Sequence, residues 1–257
     1  MRKSLMLAMF LVFMLVMQPR VNASFNVTYL TTSVTFTNST TAHVVEMIDL
    51  HATDASVGQY QQYRQAFNLS LSDWQQGIGS SLMVQHIINP KSSISNFTFL
   101  PGPMSISGHD GYAVLTLNYY AKNVTSMAVI GPRKFQYAFN ATSFSFMHTA
   151  SGQSLFPNAK LVLTTPAGSS LISVYPAPDF PQPNKQGAYA DSNNTFTWSS
   201  GEPLQKFTFV YVTTETPQQE VVNYFTSIYQ GYSALIYAAA ALILAAIIIY
   251  IYIKVAR

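Results

Sequence analysis

The side chains able to bind a metal or move a proton are few and scattered. There are five histidines, His43, His51, His86, His109 and His148, and no cysteine. No histidine pair sits in the two-histidine, glutamate spacing that puts both rings of a zinc peptidase on one helix face. The nearest grouping is His43, Asp49 and His51. If Val44 to Leu50 is one strand, these positions share a face, and residues two apart on a face stand about 7 Å apart. Asp49 and His51 could then reach one ion, while His43 would need a fold-back; the competing account makes all three satisfied surface groups. Ser80 and Ser81 follow Gly79 but lack the glycine two places on that a strand-turn-helix nucleophile requires. No glycine-rich phosphate loop is present. His109, Asp110 and Gly111 read as a hairpin turn with Gly111 supplying positive φ. The chain therefore reads as a non-enzyme with no catalytic residue, no cofactor and no assigned metal ligand.

A different chemistry is written more often. Asn-X-Ser/Thr occurs at Asn22, Asn26, Asn38, Asn68, Asn96, Asn123, Asn140 and Asn193, eight of the fourteen asparagines, against about three expected by chance. Such acceptors matter only on an exported chain, and both ends indicate export. Met1, Arg2 and Lys3 precede an apolar run from Leu5 to Met17, then polar residues and the small pair Val21 and Ala23, the order of a secretory signal peptide. Cleavage after Ala23 removes Asn22 and leaves seven acceptors: Asn26, Asn38, Asn68, Asn96, Asn123, Asn140 and Asn193. An uncleaved anchor would export the same segment.

Ala234 to Ile253 is free of charge, proline and glycine over 20 residues, the length a helix needs to cross about 30 Å of hydrocarbon. Tyr229, Tyr232, Tyr250 and Tyr252 flank its edges, and Lys254 and Arg257 follow, which places the carboxyl end in the cytoplasm. The expected organisation is a signal peptide (1–23), an extracellular domain (24–216), a juxtamembrane stalk helix (217–233), a transmembrane helix (234–253) and a cytoplasmic tail (254–257). The expected locality is the cell membrane, single-pass, with the domain outside.

Charge must be divided by compartment. The whole chain carries +3, but Arg2, Lys3, Arg20, Lys254 and Arg257 lie in the signal or the tail. Ser24 to Gly231 keeps eight basic and ten acidic side chains, net −2, with no basic patch, which excludes a nucleic-acid partner. Only 9% of residues are charged, so neutral polar groups and glycans must cover the surface. The absence of cysteine means that the domain holds together without disulfides, which a core of this size permits; small exported animal domains are usually disulfide-dense, so an archaeal envelope is the expected setting.

The elements that must present these residues are mostly strands. Phe25 to Phe36 and Val44 to Leu50 alternate as a hairpin around a loop at Asn38. Asp54 is placed to cap a helix running to Phe67, with Val57, Tyr60, Tyr63 and Phe67 as its apolar stripe. A second short helix, Asp73 to Gly79, presents Trp74 and Ile78. Strands are then predicted at Leu82–Ile88, Ser95–Leu100, Tyr112–Ala121, Thr125–Ile130, Phe135–Phe146, Ala159–Thr165, Leu171–Tyr175, Thr195–Trp198 and Gln205–Thr213, punctuated by Pro and Gly. The fold class is mainly β, sandwich-like sheets with a helical insertion near 54–79, and a sub-boundary near Gly131 is open. Past Pro217, Val221, Val222, Phe225, Ile228, Tyr229 and Tyr232 form a helical stripe.

The order of an aromatic strand from Phe135, then Leu161-Val162-Leu163-Thr164-Thr165-Pro166-Ala167-Gly168, then Ile172-Ser173-Val174-Tyr175-Pro176-Ala177-Pro178, Thr195-Phe196-Thr197-Trp198 and Phe207-Thr208-Phe209-Val210-Tyr211 resembles a class of uncharacterised archaeal membrane-anchored ectodomains. The resemblance covers about a third of the chain and implies a β-rich surface module on one span, with no substrate or catalytic residue to carry over. This chain departs from those of the class that carry a cytoplasmic DNA-binding domain.

Three functions are compatible with these readings. The first is a structural or interaction protein of the envelope, partnered by the lipid bilayer and by membrane or surface-layer proteins. The second is a ligand-binding receptor subunit, with Trp74, Trp198 and tyrosines as a platform for sugar or peptide, acting through a membrane partner. The third is a metal-dependent envelope enzyme built on His43, Asp49 and His51.

Overall fold

A computed structural model describes residues 25–66, 68–150, 152–184, 189, 194–218 and 220–226, and then 229, 231–233, 237, 242–244 and 254. The expected signal peptide lies outside these residues, as does most of the expected transmembrane helix. The described residues from 217 onward are all helical, and among the described residues no helix is long and apolar enough to cross a membrane.

The chain is mainly β. In order it forms β1 (Phe25–Phe36), β2 (Ala42–Thr53), α1 (Asp54–Gln65), α2 (Leu71–Ile78), β3 (Ile94–Pro101), β4 (Ser105–Ser107), β5 (Asp110–Ala121), β6 (Thr125–Gly131), β7 (Lys134–Phe139), β8 (Met147–Thr149), β9 (Gly152–Ser154), β10 (Ala159–Thr164), β11 (Ser170–Tyr175), β12 (Thr195–Ser199) and β13 (Thr208–Thr214). The larger sheet has the order β12-β10-β1-β2-β5-β3, with β4 added to β5; the smaller runs β11-β13-β7-β6, and β8 and β9 pair alone. Pairing is antiparallel except between β1 and β10, which run parallel with Leu30 opposite Ala159.

Strict alternation dictates which side of the larger sheet is buried, because successive strand residues face opposite ways. Val44, Ile48 and Leu50 of β2, Leu30, Val34 and Phe36 of β1 and Leu115, Leu117 and Tyr119 of β5 all point into one core. The smaller sheet covers part of this face: Phe36 lies 5.9 Å from Phe209 and 5.6 Å from Tyr211 of β13, ring centre to ring centre. The helices join the same core, with Trp74 of α2 set edge-on to Tyr60 of α1 at 5.3 Å and to Phe99 of β3 at 5.5 Å. β6 and β7 pair directly across Gly131, and the core draws on residues from both sides of that position.

Several expected boundaries move, each for a local reason. Leu82–Ile88 is not a strand: the segment is a series of turns with one bridge, from Ile87 to Phe144. The amides of His86 and Ile87 go to side chains instead of a ladder, to Glu46 and to the Tyr119 hydroxyl, while Met83 N–H closes a turn onto the Ser80 carbonyl. The strand expected from Phe135 to Phe146 stops at Phe139, because Asn140 accepts from the Thr142 amide at 3.2 Å and its hydroxyl at 2.7 Å and turns the chain into a 3-10 turn, Ala141–Ser143. Short polar side chains compete with a ladder in this way. The strand expected from Gln205 begins at Thr208. Thr53 occupies the cap position of α1, and Asp54 is its first residue. α2 begins earlier than expected, since Ser70 and Asp73 bond reciprocally to each other's backbone amides, the arrangement that satisfies two free donors of a first turn. In the β4–β5 hairpin the residue with positive φ is Gly108, at 62°, and not Gly111. Gly111 lies within β5, where a Cβ would meet the Met104 sulfur at 2.5 Å.

Candidate interaction surface

The three residues closest to a metal set are not brought together. His43, Asp49 and His51 do share the outward face of β2, but His43 and Asp49 are six positions apart along the strand, about 20 Å at the usual rise. Both rings are matched across the sheet. His43 Nε2 is 2.7 Å from Asn118 Oδ1 and its ring is 4.9 Å from Tyr120. His51 Nε2 is 3.0 Å from Asp110 Oδ1 and its ring is 5.0 Å from Tyr112. Among the described residues no group of three His, Cys, Asp or Glu side chains is placed to hold a metal ion. Trp74 and Trp198 are buried, Trp198 donating from Nε1 to the Pro176 carbonyl at 3.0 Å, so neither belongs to a surface platform.

Six of the seven glycosylation positions fall on described residues, and Asn193 does not. Asn26, Asn38, Asn68, Asn96 and Asn123 are exposed, and Asn140 is half-buried. Asn96 and Asn123 hold left-handed backbone, φ 52° and 56°, a conformation asparagine tolerates better than most residues. Asn123 donates to the Ser92 hydroxyl at 2.8 Å and accepts from the Thr40 hydroxyl. Asn26 pairs with His51 on the outward face of the larger sheet.

The sequence reading missed a cluster of polar groups inside the core. Glu46, His86 and Tyr119 are fully buried. Glu46 Oε2 is 2.5 Å from His86 Nδ1, and Oε1 accepts the His86 amide at 2.8 Å and the Tyr119 hydroxyl. A carboxylate only accepts, so the proton of the ring sits on Nδ1. His86 Nε2 is buried with no partner, the ring lying stacked 5.2 Å from Phe146. Burial first, and the nearby Glu46 charge second, push the Tyr119 phenol well above its ordinary range. The cluster fastens the turns after α2 to the middle of the larger sheet. Alternation alone could have exposed it, because Glu46 falls between Val44 and Ile48 on the inward set.

The most open feature is a sheet edge. Among the described residues β6 ends the smaller sheet and pairs only with β7. Ser126 to Ile130 are exposed in succession, so neither face of the strand is covered there, with Met127 at 49%, Val129 at 68% and Ile130 at 51%. The strand reads TSMAVIG, with none of the charges or prolines by which exposed edges are usually protected from pairing. Thr125–Ile130 was legible as a strand; its place at an edge was not.

Immediately beyond β6, the hairpin turn meets the carboxyl-terminal helix. The Glu215 amide donates to the Arg133 carbonyl at 2.8 Å, Arg133 Nε is 3.8 Å from Glu220 Oε2, and Asn223 Nδ2 donates to Glu215 Oε1 at 2.7 Å. Those contacts use the polar side of the helix. Val221, Val222, Tyr224 and Phe225 remain exposed.

No family model matches the chain, and no curated protein matches it. Among solved structures it is similar to the folded domain of the Mycobacterium tuberculosis protein LppM, determined by NMR, at 11% identity over 77% of this chain and 98% of that one; the TM-score of 0.25 is too low for the likeness to bear on fold or function.

Proposed function

We propose that this chain is a single-pass glycoprotein of the cell envelope, anchored by the apolar segment 234–253, whose extracellular β domain binds neighbouring surface proteins. The observation that carries this reading is β6, an uncharged edge strand exposed on both faces. A row of unpaired amides and carbonyls accepts an added strand from another protein, the backbone giving affinity and the alternate side chains giving selectivity. Met127 and Val129 point to one side of that strand and Ala128 to the other, and Ile130 sits at a register shift before Gly131. The acceptors Asn123 and Asn140 lie beside the Thr125 end, since Thr125 pairs with Phe139, which leaves the Met127 to Ile130 half clear of glycans.

The test is to purify the full chain from detergent-solubilised membranes after crosslinking, beside a Met127→Lys, Val129→Lys variant. Both residues are exposed, so the variant is expected to fold within about 0.5 kcal/mol per substitution and to lose the copurifying protein. Recovery of the wild-type chain alone, or an undiminished partner in the variant, would overturn the reading.

A receptor role is favoured by one observation, a shallow depression of about 450 Å³ lined by Thr28, Asp49, Pro103, Ser105, Tyr112 and Val114. A half-exposed tyrosine beside a carboxylate is a fitting pair for a sugar. Thermal shift across a glycan library separates this reading, because a ligand at 100 times its dissociation constant adds about 2.7 kcal/mol.

A further inference from the structure

One glycosylation acceptor stands in a different setting from the rest. Among the described acceptors, Asn38, Asn68, Asn123 and Asn140 lie on loops or turns and Asn96 in a register break of β3, whereas Asn26 lies inside β1 on the larger sheet. A row of residues runs from it across the sheet: Asn26 is opposite His51, His51 is opposite Tyr112 and Tyr112 is opposite Ser105. Directly opposed residues share a face, and this is the outward one. At about 4.8 Å per strand, Tyr112 stands about 10 Å from Asn26. Its ring lies 5.0 Å from that of His51, the residue is 49% exposed, and with Asp49 and Ser105 it lines the depression of about 450 Å³. The third residue of the same acceptor sequence, Thr28, reaches that depression too. The ladder shifts register between Val27 and Tyr29, so Thr28 falls at a bulge, a feature that re-aims side chains. Its hydroxyl donates to the Asp49 carbonyl at 3.2 Å, and the residue forms part of the wall.

We infer that this depression is the seat of the chain's own sugar: an N-linked oligosaccharide on Asn26 runs across His51 and packs on Tyr112. The inference rests on the glycoprotein reading above, and it makes the depression an occupied seat in place of a receptor site. The chemistry of the row suits a sugar. The C–H face of a sugar ring is apolar and lies flat on an aromatic ring, and tyrosine adds a polar tip that reaches the hydroxyls. Sugar hydroxyls donate well to ionised carboxylates, and Asp49 and Asp110 stand on the same face, Asp110 with its side chain 48% exposed. The tether decides where the sugar comes from. A shallow site holds a free sugar weakly, whereas a sugar carried by Asn26 meets it at an effective concentration in the millimolar range, ahead of any sugar in solution. The seated oligosaccharide also covers Val114, which is 41% exposed beside Tyr112.

The full chain would be produced in cells that N-glycosylate exported proteins, beside Asn26→Gln, a substitution at an exposed position. Hydroxyl-radical footprinting is expected to label Tyr112 at least about threefold more in Asn26→Gln than in the wild type. Tyr120, on the same face about 27 Å along β5, should be labelled equally in both. Under native conditions a peptide N-glycosidase should release sugar from Asn26 at least about tenfold more slowly than from Asn38. Tyr112→Thr, which keeps a residue that strands favour, should remove that difference, and Tyr112→Phe should keep it. Peptide mass spectrometry showing no acceptor occupied overturns the glycoprotein reading and this one with it. An empty Asn26 on a chain glycosylated elsewhere overturns the inference alone. So does equal labelling of Tyr112 with and without the Asn26 sugar, equal release from Asn26 and Asn38, or slow release that persists in Tyr112→Thr. Finally, the oligosaccharide released from the wild type is added to Asn26→Gln in equimolar amount: Tyr112 should stay accessible, and restored protection would mean that the depression takes free sugar and would overturn the tethered occupant.

Discussion

Replacing Glu46 with alanine should unfold the domain at markedly lower temperature, although the residue touches no solvent. The carboxylate accepts from the His86 amide, His86 Nδ1 and the Tyr119 hydroxyl, and all three residues are fully buried. Glu46→Ala removes the acceptor of all three and leaves three buried donors unpaired. Each donor left without an acceptor costs at least about 1 kcal/mol, so three cost about 3 kcal/mol or more, and removing one partner of a buried pair costs about 3–5 kcal/mol. For a domain of this size each kcal/mol moves the midpoint by about 2–4 °C, so the drop is expected to be about 6–20 °C. The assay is thermal unfolding of the full chain in detergent micelles, followed by circular dichroism in the β region. A paired variant, Glu46→Met with His86→Leu, removes the ring donor together with the carboxylate and should recover about a third of the loss, because the backbone amide of residue 86 and the Tyr119 hydroxyl stay without an acceptor. A Glu46→Ala midpoint within about 2 °C of wild type, or a paired variant no better than the single one, would refute the reasoning.

Two further outcomes follow from individual groups. Burial, opposed by the charge of Arg64, raises the Tyr60 phenol from 10.0 to about 12. The folded state therefore holds this proton more tightly than the unfolded one, its contribution is intact below pH 10, and stability should fall as pH rises from about 10 toward 12. Denaturant midpoints across that window should fall less steeply for Tyr60→Phe; an unchanged slope counts against the burial argument. Ser70→Ala breaks the reciprocal cap of α2 and should lower stability by about 1 kcal/mol, read as a shifted urea midpoint, whereas an unshifted midpoint would mean that the cap is dispensable.

What the sequence discloses here follows from where each signal resides. Strands with one buried face, such as β2 and β5, announce themselves by alternation, and Val44 to Leu50 or Tyr112 to Ala121 could be read directly. The helical insertion was legible from the stripe Val57, Tyr60, Tyr63 and Phe67 on one helix and from Trp74 and Ile78 on a second, and Tyr60, Trp74 and Ile78 are buried. Leu82–Ile88 misled because its apolar content is real while the His86 and Ile87 amides bond to Glu46 and Tyr119, residues distant in the chain. Sheet order is not a local property, so β6 could be recognised as a strand but not as an edge. The grouping of His43, Asp49 and His51 failed on distance along the strand, and the polar cluster that does form joins Glu46 to His86 and Tyr119, a union that only tertiary packing creates.

The parallel pairing of the first strand with the tenth has a consequence for how the protein comes into being. Leu30 meets Ala159 only after 128 intervening residues have been made, and closing so distant a pair is slow because ordering precedes reward. Until then the early hairpin carries an open flank and a bare apolar side. An exported chain emerging amino end first would cross its membrane before that flank is closed, at the stage when a chaperone or a wrong neighbour can seize it. Assembly of the larger sheet is thus timed by the late arrival of Ala159 to Thr164.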